Sequence, residues 1–123
     1  MLLFFIVVRK FLSFVYLIIA LYYVPCSLAE VKVIEVELII KEHKFIPEVL
    51  EIPAGHKVVI TVDNQDSTIE EFESIDLKRE KLIPGKTKAK IILAPLSPGE
   101  YKFFGEFHEE TAQGKIIVKK EME

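Results

Sequence analysis

The side chains best suited to chemistry in this sequence fall in two places. One is GEYKFFGEFHEETAQGKIIV, residues 99–118, where Glu106, His108 and Glu109 lie between an aromatic run and a closing apolar run. The other is IEEFESIDL, residues 69–77, which carries Glu70, Glu71 and Glu73. Carboxylates crowded together repel one another and their pKa values rise unless a proton or a cation neutralises them. Oxygen donors joined by one imidazole suit iron, manganese, zinc or Cu(II), and suit Cu(I) poorly. Glu70, Glu71, Glu73, Glu106, His108 and Glu109 are therefore the candidate metal ligands, provided the fold brings the two stretches together.

Each candidate also has an ordinary role. Glutamates at loop tips are commonly solvated, Glu70 and Glu73 flank Phe72 within reach of Lys78 or Arg79, and His108 can be a satisfied loop histidine. His43 could approach from the end of the first strand, with a surface role as its ordinary reading, and His56, in the PAGHK turn, reads as solvent-facing. Tyr101, Phe103 and Phe104 read as core and hairpin packing.

The elements that must hold these residues are strands. From Glu30 onward no convincing amphipathic helix appears, and short runs rich in Val, Ile and Phe alternate with turn signals. VKVIEVELII, residues 31–40, places Val36, Leu38 and Ile40 on one face and Glu35 and Glu37 on the other. VLEI and KVVITV follow, joined through a tight turn at Pro53, Ala54 and Gly55. In residues 69–77, Ile69, Glu71, Glu73 and Ile75 share one face and Glu70, Phe72, Ser74 and Asp76 the other, so neither face is cleanly apolar. A Pro84-Gly85 turn leads to TKAKIILA, residues 87–94, and Pro95, Pro98 and Gly99 bring the chain to the aromatic strand, with Tyr101 and Phe103 inward. KIIVKK, residues 115–120, closes the sheet. The expectation is an all-β Greek-key sandwich of about seven strands, with residues 99–118 as its last hairpin.

The 123 residues suffice for one domain. Residues 1–28 contain no acid, and only Arg9 and Lys10 are charged. The run FLSFVYLIIALYYV, residues 11–24, has the length of a secretory hydrophobic region and falls short of the roughly 20 residues that span a bilayer. With small residues at Ser27 and Ala29, residues 1–29 read as a signal peptide cleaved after Ala29, and residues 30–123 as the domain. Because LLFFIVV precedes the basic pair, an uncleaved membrane anchor is the alternative, as is a later translation start. The protein is expected to be periplasmic or otherwise exported. Removing residues 1–29 removes the sole cysteine, Cys26, and takes the formal net charge from −3 to −5. Such a surface disfavours nucleic acid and offers carboxylates to cations.

The series FIPEVLEIPAG, VDN, EEFES, IPGK, LSPGEYKFFGEFH and GKIIV resembles a cupredoxin, and is most similar to the cupredoxin-like domain of EfeO-type periplasmic iron-uptake systems. The resemblance covers residues 31–120. It implies a metal pocket at one end of the sandwich, a transition-metal ion (iron or copper) as cofactor, and a membrane iron permease or an associated periplasmic protein as partner. Laid onto the blue-copper pattern, the first histidine falls at Glu70, or at Glu71 if the register slips by one. The cysteine falls at Gly105, its histidine partner at His108 and the methionine near Gln113. Only His108 matches, and a blue site needs a thiolate.

No enzyme is expected. Ser67, Ser74 and Ser97 have no base at a recognisable spacing, and neither G-x-S-x-G nor a phosphate-cradling glycine loop is present. Two functions stay open: an exported metal-binding protein accessory to iron or copper transport, and a metal-free sandwich acting as a protein-binding or structural module.

Overall fold

Period-two alternation decides most of the architecture. The computed structural model describes residues 1–10, 25–26 and 32–121. The chain divides into two units, Met1–Glu30 and Val31–Glu123. In the first, residues 2–10 are helical. Most of the expected signal segment and its cleavage point lie outside the described residues. No helix among the described residues is long and apolar enough to cross a membrane.

The second unit is a two-sheet sandwich of nine strands, two more than the sequence pattern suggests. In order they are β1 (Val33–Lys41), β2 (Lys44–Ile46), β3 (Val49–Pro53), β4 (Lys57–Asn64), β5 (Glu70–Ser74), β6 (Arg79–Ile83), β7 (Lys88–Leu93), β8 (Gly99–Gly105) and β9 (Gln113–Lys119). One sheet runs β2-β1-β4-β7 and the other β3-β9-β8-β5-β6. The two additional strands, β2 and β6, both lie at sheet edges, where a strand need not display an apolar face. VLEI and KVVITV do not form a hairpin. The Pro53-Ala54-Gly55 turn carries the chain from one sheet to the other, and β3 pairs in parallel with β9 while β4 pairs in parallel with β1. Accordingly β9 lies between β3 and β8 rather than at an edge.

The apolar sides of the strands meet between the sheets. Leu38 and Ile40 of β1, Val58, Ile60 and Val62 of β4, Ile91 and Leu93 of β7, Leu50 and Ile52 of β3, and Ile116 and Val118 of β9 are all buried. Three phenylalanines occupy the middle: the Phe45 ring meets Phe103 edge-on at 5.0 Å, and Phe72 stacks on Phe103 at 5.1 Å. β5 belongs to this core through Phe72, which settles which of its two mixed faces turns inward. Glu70 and Ser74 follow Phe72 in by alternation.

One buried polar residue anchors the loop that leads into β5. The Asn64 side-chain amide donates to the carbonyls of Thr68 and Ile83 at 2.9 and 3.0 Å, and its oxygen accepts from the Asp66 N–H at 3.1 Å. The loop and the Pro84-Gly85 turn press together so closely that a Cβ on Gly85 would lie 2.1 Å from the Ser67 carbonyl oxygen and 2.4 Å from its carbon. Backbone cannot rotate aside as a side chain can. Gly85→Ala is therefore expected to cost about 1–3 kcal/mol, as overpacking does, read as a lowered denaturant midpoint. A neutral result would mean the loop has slack.

Candidate functional site

The last hairpin forms as the sequence suggests: β8 and β9 pair antiparallel, and their tip holds a single 3-10 turn, Glu106–His108. The register between β5 and β8 pairs Phe72 with Gly105 and Glu73 with Phe104. That register brings the two candidate stretches side by side and divides five of the six residues into two sets, with Glu109 in neither.

Glu70 turns inward and is 2 % exposed. Its Oε1 accepts the backbone N–H of both Glu71 and Phe107, each at 3.0 Å. Its Oε2 lies 2.5 Å from Nδ1 of His108, whose side chain is 28 % exposed. A carboxylate that already accepts two N–H groups acts as an acceptor, so Nδ1 is the donor. Charge-assisted bonds of this kind are about twice as strong as neutral ones. Gly105 makes room for the carboxylate: a Cβ there would lie 2.8 Å from Glu70 Cδ and 2.9 Å from Oε1.

Glu71 and Glu73 point to the opposite side of β5, where Glu73 faces Glu80 of β6 across the strand pair. Glu106 joins them. The hydrogen bond with Glu106, then burial, then the charges of Glu106, Glu71 and Glu80 push Glu73 up to about 7. Burial and the charges of Glu80, Glu106 and Glu70 raise Glu71 as well. Glu109 is exposed, and its carbonyl accepts the Gln113 side-chain amide at 2.7 Å. The structure thus joins Glu70 to His108 in one place and Glu71, Glu73 and Glu106 in another.

The raised Glu73 has a measurable consequence. A carboxyl whose folded pKa exceeds its unfolded value binds its proton more tightly when folded, so stability declines as pH rises from about 4.5 through about 7. Glu73→Gln is expected to melt higher than the parent at neutral pH and to match it near pH 4.5. Melting curves across that window check this, and an unchanging difference between the two proteins would count against the shared proton.

His43, whose ordinary reading from the sequence is a surface role and which is not among the six candidate ligands, does approach the site. It lies in the turn between β1 and β2 with φ of 57°, a left-handed conformation shared with Glu42 at 52°. Asp66 holds this turn by accepting the N–H of Glu42 at 2.8 Å and of His43 at 3.0 Å. Burial alone would raise the Asp66 pKa, but those two bonds and the charges of His43 and Lys86 outweigh it and hold the carboxyl below its ordinary value. Thr111 Oγ1 donates to the His43 carbonyl at 2.6 Å, tying this turn to the hairpin tip. The outcome is that the His43 ring stacks on His108, centroids 3.6 Å apart and planes 11° from parallel. Nothing in local sequence marks this contact, because it joins positions far apart in the chain. His56, expected to face solvent, lies 3.2 Å from the Glu121 carboxylate.

Comparison with known proteins agrees with this architecture. A family model described as a cupredoxin-like domain matches residues 13–118. An uncharacterized protein of Rickettsia prowazekii (strain Madrid E) is 52 % identical over 86 residues, which cover 70 % of this chain and 69 % of that protein. Among solved structures, auracyanin A of Chloroflexus aurantiacus, described as a blue copper protein, superposes with a TM-score of 0.63 at 16 % identity. The match covers 72 % of this chain and 100 % of that one. The metal-binding domain of the Streptococcus pneumoniae Cu(I)-exporting ATPase CopA superposes with a TM-score of 0.59 at 12 % identity, covering 73 % of this chain and 98 % of that domain. At such identities the superpositions speak for the fold alone.

The residues present do not fit a blue-copper centre. The position at which the resemblance places the thiolate is Gly105, which has none, and the space beside it is taken by the Glu70 carboxylate. Of the remaining donors, His108 Nδ1 is engaged by Glu70, and the His43 ring lies flat on the His108 ring, whereas ring nitrogens bind metals in their own plane. Among the described residues, no group of three or more His, Cys, Asp or Glu side chains is arranged to hold a metal ion.

Proposed function

This chain belongs to the cupredoxin-like domain family, and we propose that it works as an exported protein-binding module whose ancestral metal pocket is closed by its own Glu70–His108 pair. The observation that carries this reading is the position of the Glu70 carboxylate, buried against Gly105 and satisfied on both oxygens from within the chain. A metal entering there would have to displace three hydrogen bonds and find its remaining donors elsewhere. The exposed Phe107 ring at the hairpin tip, 48 % accessible, together with Ile69 beside Glu70, supplies apolar surface at the same end. Export rests on the pattern of residues 1–29.

Titration calorimetry with Cu(II), Fe(II) and Fe(III) tests the reading. No stoichiometric binding is expected, and the melting temperature is expected to be the same with and without a chelator. Tight one-to-one binding by the unaltered protein would overturn it.

A second reading has its own support. Glu70, His108 and His43 gather a carboxylate and two imidazoles at the end where the family's pocket lies, and the similar structures include proteins described as copper-binding. On this reading the pair opens to take iron or copper and pass it to a membrane permease, as the EfeO-type resemblance implies. Glu70→Ala, His43→Ala and His108→Ala would then each weaken ion binding in the same titration, and Glu106→Ala, in the other set, would not.

A further inference from the structure

Gly105 is a glycine for reasons of space and not of conformation. Its backbone, φ −91° and ψ 114°, is extended and open to any residue. What it lacks is room: a Cβ would lie 2.7 Å from Ala112 Cβ, 2.8 Å from Glu70 Cδ and 2.9 Å from Glu70 Oε1. Two of those three atoms belong to a carboxylate that reaches across from the neighbouring strand. The hydrogen bonds from Phe107 N–H, Glu71 N–H and His108 Nδ1 hold that carboxylate in place, so it cannot swing aside cheaply.

We infer that Glu70 and Gly105 are a matched pair, the carboxylate filling the volume a side chain at 105 would need, and that this exchange is what shuts the pocket to a metal. This rests on the closed-pocket reading above and goes further, because it assigns the closure to two positions. A long acidic residue at 70 requires no side chain at 105. Conversely, a shorter residue at 70 removes two of the three collisions at 105 and frees Nδ1 of His108. The cost of the bare backbone at 105 is repaid only while Glu70 is present.

Two measurements on the full chain test the pairing. The first is a stability cycle with no metal present. Gly105→Ala is expected to lower the melting temperature clearly in the parent and much less in a Glu70→Ala background, the residual cost reflecting Ala112. Equal losses in both backgrounds would overturn the pairing. The second asks whether the pocket reopens. Glu70→His with Gly105→Cys and Ala112→Gly supplies two imidazoles and a thiol, and relieves the contact with Ala112. Cu(II) is the probe. Its binding should displace the thiol proton to solvent and produce an intense sulfur-to-copper charge-transfer absorption that the parent and Gly105→Cys alone lack. A folded triple variant that binds no Cu(II), or equal absorption from Gly105→Cys alone, would overturn the claim that Glu70 closes the pocket. If the triple variant does not fold, the stability cycle still decides. Cu(II) binding by the parent would instead sink the closed-pocket reading, while leaving the metal-free cycle to be judged by itself.

Discussion

His108→Ala is expected to destabilise the protein by about 3 kcal/mol, the upper end of what leaving a buried hydrogen-bonding group without its partner costs. The upper end applies because the abandoned Glu70 carboxylate is only 2 % exposed. The penalty arises from what remains: a carboxylate buried beside Gly105 with Oε2 stripped of its partner, which costs more than the pair contributes while intact. For a sandwich of this size the loss corresponds to a fall of about 12–24 °C in melting temperature. His108→Asn is the informative control, since its amide can present an N–H near the position of Nδ1 and should recover much of the loss. A loss from His108→Ala below about 1 kcal/mol, the range of exposed ion pairs, would show that the contact is incidental.

Phe103→Ala is expected to cost about 3–5 kcal/mol, as large-to-small changes in a packed core do. Phe103 is 1 % exposed and is the one ring in van der Waals reach of both Phe45 and Phe72. Its far edge rests on Gly114, where a Cβ would lie 2.4 Å from Cζ of the ring. Truncation therefore opens a void bounded by rings from both sheets and by backbone that has no side chain to fill it. Phe103→Leu should cost distinctly less, because much of the volume is kept. Equilibrium denaturation of the two variants checks the order, and equal losses would point to a specific ring contact rather than to volume.

Both effects converge on the same end of the sandwich, since Phe72 lies next but one to Glu70 on β5 and pairs with Gly105 on β8. Glu70 thus shares the inward face of β5 with Phe72 of the aromatic core. The hairpin tip is tied from the side to the His43 turn, through Thr111 and the ring stack.

The strands were legible because burial of one face leaves a record in single residues. Val36, Leu38 and Ile40, or Tyr101 and Phe103, can be placed from alternation without knowing what they touch. The edge strands β2 and β6 left no such record, since KFI is short and REKLI is polar and mostly exposed. The candidate ligands were legible only as chemical types. Alternation separates Glu70 from Glu71 and Glu73, yet it does not say which set turns inward when each face mixes apolar and acidic residues. Phe72 decides that, and only by packing against Phe45 and Phe103 from other strands.

The amino-acid order by itself determined a β-sandwich of this family and the hairpin at residues 99–118, with no cysteine after Cys26 to offer a thiolate. Tertiary structure alone decided that Glu70 fills the space at Gly105 and meets His108, that Glu73 is turned to the other side of β5 with Glu106 and Glu80 near enough to raise its pKa, and that His43 lies on His108. The reason is physical: alternation and turn chemistry act between near neighbours, whereas these contacts depend on the β5–β8 register and on a left-handed turn, which a whole packed core selects.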